Sequence, residues 1–141
     1  MKQFNNCLKK GKLKRFTASK QKVKTEVNSA KEDLREAKDR FSKRKYKYAT
    51  ITAYYSLFHS ARALVYLKGF REKSHYCLKI AIEKLYIKEQ ILKPEFIEYF
   101  EEAMGLREAA DYQSIFSKTG ALRSIKAAKE FLKVAKRMVK E

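Results

Sequence analysis

The chain has 141 residues, which is one domain by length and enough for a real core. Apolar residues make up 45% and aromatics 13%, with one proline and four glycines; this excludes a disordered chain and a many-stranded β fold. Lys and Arg number 34 against 16 Asp and Glu, a net charge of +18. Such a field either attracts polyanions in a salt-dependent way or simply solvates a Lys-rich surface.

The charge is uneven along the chain. Residues 1–47 carry 17 basic and 5 acidic side chains, and residues 1–25 carry nine basic ones and no acid. Met1–Lys10 reads as a short helix closed by Gly11, and Lys12–Lys20 as a basic, mobile connection. Residues 1–21 are therefore expected to form a basic arm and residues 22–141 the folded body.

Val23, Val27, Ala30, Leu34, Ala37 and Phe41 fall on one helix face, with charged residues opposite. Tyr46–Lys68 is the next helix. It carries one stripe of Tyr48, Ile51, Tyr55, Phe58 and Val65 and another of Tyr54, Leu57, Ala61 and Leu64, so it belongs in the middle of a bundle. Lys68-Gly69 stops it, and Ser74 caps a helix running to about Lys88 with Leu78, Ile82 and Leu85 inward. Pro94 and Glu95 suit the start of a helix in which Phe96, Ile97, Phe100, Ala103, Met104 and Arg107 share a side. After a polar break at Ser114–Gly120, Leu122, Ile125, Ala128, Leu132, Ala135 and Val139 mark the last helix. The expected fold is all-α: an antiparallel, four- to five-helix up-and-down bundle with a short extra N-terminal helix.

Arg62 sits on the most apolar of these helices. A charge there is costly unless paired, so a partner is required elsewhere in the chain. Asp111 is the expected partner, forming a structural pair with Arg62; a phosphate-facing role for Arg62 is the competing reading. Arg107 also stands four residues before Asp111 and reaches it along one helix, in the weaker orientation for such a pair.

Cys7 and Cys77 form no CxxC and no zinc spacing. Cys77 and His75 would supply two metal ligands where a site needs three or four, so no metal and no cofactor are expected. A reduced cytoplasmic protein with two incidental thiols fits. Ile51–Leu67 is too short and too charged to span a bilayer, and the basic N-terminus has no apolar signal core.

Three motifs in order carry a family resemblance. The central helix gives Tyr54, Tyr55, Phe58, Ala61, Arg62, Ala63 and Leu64; after it come Gly69, Ser74 and His75; near the C-terminus stand Arg107, Asp111 and Tyr112. Together they resemble the HEPN domain family (higher eukaryotes and prokaryotes nucleotide-binding), in particular its small stand-alone prokaryotic and archaeal members, over roughly residues 22–140. The resemblance implies an all-α bundle, often a homodimer, often encoded beside a minimal nucleotidyltransferase in a toxin–antitoxin-like module. It also implies a nucleotide or RNA ligand. Active members are metal-independent ribonucleases built on an Arg-x4–6-His motif, in which Arg stabilises phosphate charge and His moves a proton.

The chain departs from that motif. Only three residues separate Arg71 from His75, His59 has no arginine at the right distance upstream, and no histidine follows Arg107. The Asp111-Tyr112 segment stands where ribonuclease members place their histidine. A non-enzymatic binding protein is therefore expected, with two rivals: a divergent ribonuclease using Arg107, Asp111, Tyr112 or His75, and a purely structural interaction module.

The candidate anion-binding residues are Arg62, Arg71, Lys73, His75 and Arg107. His75 lies at a helix N-terminus, which favours anions, although a surface or capping role is the preferred reading. His59 reads as a satisfied core residue. The tyrosines Tyr46, Tyr48, Tyr54, Tyr55 and Tyr66 fit core packing better than base stacking. Lys43, Arg44, Lys45 and Lys47 form a basic corner.

Overall fold

A computed structural model describes residues 1–140. Helix α1 (Lys2–Lys9) leads through Gly11 into a three-residue strand, β1 (Leu13–Arg15). Two long helices follow, α2 (Lys20–Ser42) and α3 (Tyr46–Leu67), then strand β2 (Phe70–Glu72). Helix α4 (His75–Ile82) widens into a π-helical turn at Glu83–Ile87, and α5 (Glu95–Gln113) and α6 (Lys118–Val139) complete the chain.

The architecture is the expected all-α bundle. Helix α3 packs against α2, α5 and α6, which is the central place that its two apolar stripes require. Ala53, Tyr54, Leu57, Ala61, Leu64 and Val65 on α3 have no exposed surface. On α2 the buried positions are Val23, Val27, Ala30, Leu34 and Ala37, as the periodicity demands. Ser19, Ser74 and Ser117 cap α2, α4 and α6, each accepting a hydrogen bond from the backbone N–H three residues on, at 2.9–3.0 Å. Gly69 ends α3 with φ at 84°, a conformation that a residue with a Cβ adopts only under strain.

Four expectations need correction. The first concerns Lys12–Lys20, which is not a mobile connection. Residues 13–15 pair antiparallel with residues 70–72 in a two-stranded ribbon, and Leu13 is 1% exposed. The alternation of Leu13 inward and Lys14 outward, and of Phe70 and Glu72 inward with Arg71 outward, is a strand signal too short to stand out.

Second, Cys7 and Cys77 are not incidental thiols but a disulfide, with Cα atoms 5.9 Å apart. Helix α1 lies on α4, and Phe4 packs edge-on against Phe70, so the arm is covalently and hydrophobically fixed to the body. Third, the helix after Ser74 keeps α geometry only to Ile82. The π-helical turn carries Tyr86, which is buried and donates its hydroxyl to the Leu64 carbonyl at 2.6 Å. Fourth, Leu122 faces outward, 53% exposed, while Ala121 and Ser124 turn inward.

The disulfide closes a long loop, its cysteines standing 70 positions apart in sequence. Replacing both cysteines by serine is expected to cost on the order of 4 kcal/mol if loop entropy dominates. Denaturant titration with and without reductant checks this; unchanged stability would show that α1 and β1 hold without the bond.

Candidate functional site

Spacing along α3 sets the site. Tyr54, Phe58 and Arg62 follow one another at four-residue intervals and form a single ridge. His75, the first residue of α4, lies over that ridge. Its ring stacks near-parallel on Tyr54, with centroids 5.6 Å apart, and tilts onto Phe58 at 4.6 Å. The Ser74 cap fixes where α4 begins, and so where His75 points.

Arg62 is answered, but not by Asp111. Its guanidinium donates to both carboxylate oxygens of Glu72, at 2.7–3.3 Å. Glu26 of α2 adds a second contact at 3.5 Å. The Glu72 side chain is 4% exposed, because alternation in β2 drives it inward beside Phe70. Asp111 instead lies 3.6 Å from Arg107, one turn along α5. The sequence offered a nearer carboxylate than Asp111, but a charged residue in a basic loop hid it.

Glu26 also holds His59, whose Nδ1 is 2.8 Å away, while Asp33 stands 3.7 Å from its Nε2. His59 is thus a satisfied, half-buried histidine in a charged network. The contacts with His59 and Arg62 favour the ionised form of Glu26; although burial opposes them, its carboxyl is held below the ordinary range. The Asp33 carboxyl, for which burial dominates, is pushed up.

A groove of about 420 Å³ opens along this end of the bundle, lined by Phe58, Arg62, Arg71, Glu72, Lys73, Ser74 and His75. Four of the five expected anion-binding residues therefore meet in one place. The fifth, Arg107, lies behind it. It is 6% exposed, its guanidinium carbon is 5.1 Å from the Tyr54 ring centroid, and Tyr55 and Tyr112 surround it at 5.7 and 5.6 Å. It donates to the Tyr112 hydroxyl at 3.3 Å, but its Nε has no partner among the described residues. Tyr54 thus touches both His75 and Arg107 and joins the two clusters. Tyr112 itself is 73% exposed.

Tyr54 decides the state of His75. Its hydroxyl lies 2.6 Å from His75 Nδ1, and burial raises its pKa, so it remains a protonated donor. No other acceptor for that hydroxyl is found among the described residues. The O–H therefore donates to Nδ1, and the ring proton of His75 sits on Nε2. Burial, with help from the Arg107 charge, pushes the His75 pKa down, so the ring is neutral at pH 7. The result is a neutral imidazole that offers an N–H donor, flanked by cations, on the wall of an open groove.

Among the described residues, no group of three or more His, Cys, Asp or Glu side chains is arranged to hold a metal, and no helix is long and apolar enough to cross a membrane. Of the tyrosines, Tyr54 and Tyr66 are core residues, Tyr46 packs on Phe41, and Tyr48 is 49% exposed beneath Arg40 and Lys47.

The HEPN domain, as a family model, matches residues 23–140. "Putative toxin MJ0142" and "Putative toxin MJ0605", both of Methanocaldococcus jannaschii, are each similar to this chain at 28% identity, over 95 and 93 residues. The aligned stretches cover 67% and 66% of this chain. They span 65% of the first relative, just under two thirds of its length, and 69% of the second.

Two outcomes follow from the geometry. Glu72→Gln keeps the shape but removes a charge that Arg62 needs. It is expected to cost about 2–3 kcal/mol, below the ~3–5 kcal/mol of a fully buried pair because Arg62 keeps some contact with water; chemical denaturation measures it. His75 binds its proton less tightly in the folded than in the unfolded chain. As pH falls through about 6.5, the unfolded chain takes up the proton first, and stability present above that pH is lost. His75→Asn should flatten this acid-side loss below about pH 6.5; parallel pH profiles for the two proteins would remove His75 from it.

Proposed function

The chain belongs to the HEPN domain family, and from that premise we propose that it is a toxin-like protein that binds RNA or nucleotide phosphates in the groove at His75. The observation that carries this reading is the combination of Arg62, Arg71 and Lys73 with a neutral His75 that presents an Nε2–H donor. A guanidinium free of carboxylates, an ammonium and a neutral N–H are what a phosphate oxygen accepts from, beside the carboxylate-held Arg62. The toxin-like role draws on the names of the two relatives.

The proposal includes a protein partner of the nucleotidyltransferase kind and homodimerisation. Its support is an exposed apolar cluster flanking the α5–α6 turn: Tyr112, Ile115, Phe116 and Leu122 are 49–73% exposed. Apolar side chains gathered this way on a surface favour a protein contact.

A second reading, a divergent metal-independent ribonuclease, draws on one specific contact. Tyr54 has both His75 and Arg107 against its ring, so an arginine and a histidine share one aromatic neighbour without the usual sequence motif. Against it stands the state of His75: a ring protonated on Nε2 is a donor to phosphate and not a base for a ribose hydroxyl.

Binding of a labelled oligoribonucleotide and of ATP, with a parallel metal-free cleavage assay, separates the readings. Arg71→Ala and His75→Ala are each expected to weaken binding about tenfold, the worth of one charge-assisted hydrogen bond, without any cleavage by the parent protein. Metal-free cleavage lost in both His75→Ala and Arg107→Ala would establish the ribonuclease instead. Wild-type affinity in all groove variants would remove the groove from the function.

A further inference from the structure

The ribbon places like charges directly opposite one another. In its antiparallel register Lys14 faces Arg71, and continuing that register sets Lys12 against Lys73, whose N–H donates to the Lys12 carbonyl at 2.8 Å. All four side chains are exposed. The Lys73 pKa is driven down, chiefly by its close approach to Lys14. Opposed like charges weaken a strand pair. This one forms because its other face is anchored by Leu13 and Phe70 and because the Cys7–Cys77 disulfide holds the arm in place.

No carboxylate relieves the cluster. Glu72 lies on the opposite, inward face and is already engaged by Arg62. Among the described residues, none of Lys12, Lys14, Arg71 and Lys73 makes an ion pair. An arrangement that costs stability and leaves four cations converged is suited to an external polyanion.

We propose that this ribbon face is a phosphodiester-binding track that continues the His75 groove, so that an RNA strand entering the groove runs out over Arg71, Lys73, Lys14 and Lys12. Arg71 and Lys73 line the groove and also stand on the ribbon, so the two surfaces are continuous. Same-face residues on a strand repeat about every 6.6 Å and cross-strand neighbours lie about 5 Å apart, giving a closely spaced row of positive charge for a backbone with one charge per nucleotide. A membrane surface fits less well. The ribbon's large apolar side chains, Leu13 and Phe70, are buried, so nothing on it would insert into a bilayer. Half of the track, residues 12–15, lies ahead of the HEPN domain itself, so the arm adds binding surface that the domain alone lacks.

The inference rests on the RNA reading of the groove, and one experiment separates the two. Anisotropy of a labelled single-stranded oligoribonucleotide is titrated across NaCl concentrations with full-length wild type, Lys12→Gln/Lys14→Gln, and a control of equal charge, Lys126→Gln/Lys129→Gln on the exposed side of α6. Loss of two phosphate contacts should lower the slope of log Kobs against log salt by about 1.4 in the ribbon variant, with little change in the control. Its melting temperature should be unchanged or higher, since opposed like charges are removed.

Equal slopes for the ribbon variant and wild type, with RNA still bound, would overturn the track and leave the groove reading intact. Absence of RNA binding by wild type would overturn both. A melting temperature below wild type would show that the lysines hold the fold, and tighter binding at the same salt to polyglutamate or to phosphatidylserine vesicles than to RNA would show a different partner class; either result overturns the proposal.

Discussion

Glu72 is a carboxylate buried under a ribbon of lysines and arginines, and Arg62 on the central helix is what makes its burial tolerable. A carboxylate taken from water without a partner would cost several kcal/mol or be protonated. Here the guanidinium grips both oxygens, and Glu26 from α2 closes the arrangement from the other side. One interaction therefore ties β2, α3 and α2 together. Its consequences propagate by geometry. With Glu72 turned inward, Arg71 and Lys73 must turn outward, and two residues later Ser74 caps α4 and sets His75 on the α3 ridge. The cationic groove is what remains on the outside once the buried pair is made on the inside.

The second organising group is Tyr54. A tyrosine with no exposed surface needs an acceptor for its hydroxyl, and His75 Nδ1 is that acceptor. The same ring lies against Arg107, a nearly buried arginine whose one carboxylate neighbour among the described residues, at 3.6 Å, is itself exposed. Three aromatic rings do much of the work a counter-ion would otherwise do for Arg107. The Nε, which has no partner among the described residues, shows that this substitution is incomplete. Tyr54 thus links an imidazole whose tautomer it sets to a guanidinium that disfavours the imidazolium. The absence of a spaced Arg–His motif in the sequence does not prevent the two side chains from sharing one aromatic neighbour.

The helices were legible in the sequence because long amphipathic periods overdetermine them. On α2 a strict apolar face named every buried position, and on α3 two apolar stripes required a central place in the bundle. The Ser74 cap and the Gly69 stop were legible because backbone chemistry demands those residue types at those points. The site was legible in part. Arg62, Arg71, Lys73 and His75 could be named, but Arg62 was matched to Asp111 when Glu72 was the answer. Three residues are too few for a period of two to stand out against a basic loop, and pairing partners lie along a direction that sequence distance does not measure.

What the sequence determined by itself is the content of the helices, the need for a counter-charge to Arg62, and a strong positive field concentrated in the first third. These follow from local periodicity and composition, which each segment carries alone. Tertiary structure decided which carboxylate answers Arg62, that Cys7 and Cys77 meet, that β1 crosses to β2, and that Tyr54 joins His75 to Arg107. Each of these joins residues at least ten positions apart in sequence, and several join residues more than fifty apart. Only the packing of α1 on α4, of α4 and α5 on α3, and of β1 on β2 brings such pairs within reach, because no local pattern records which distant surfaces a buried side chain will find.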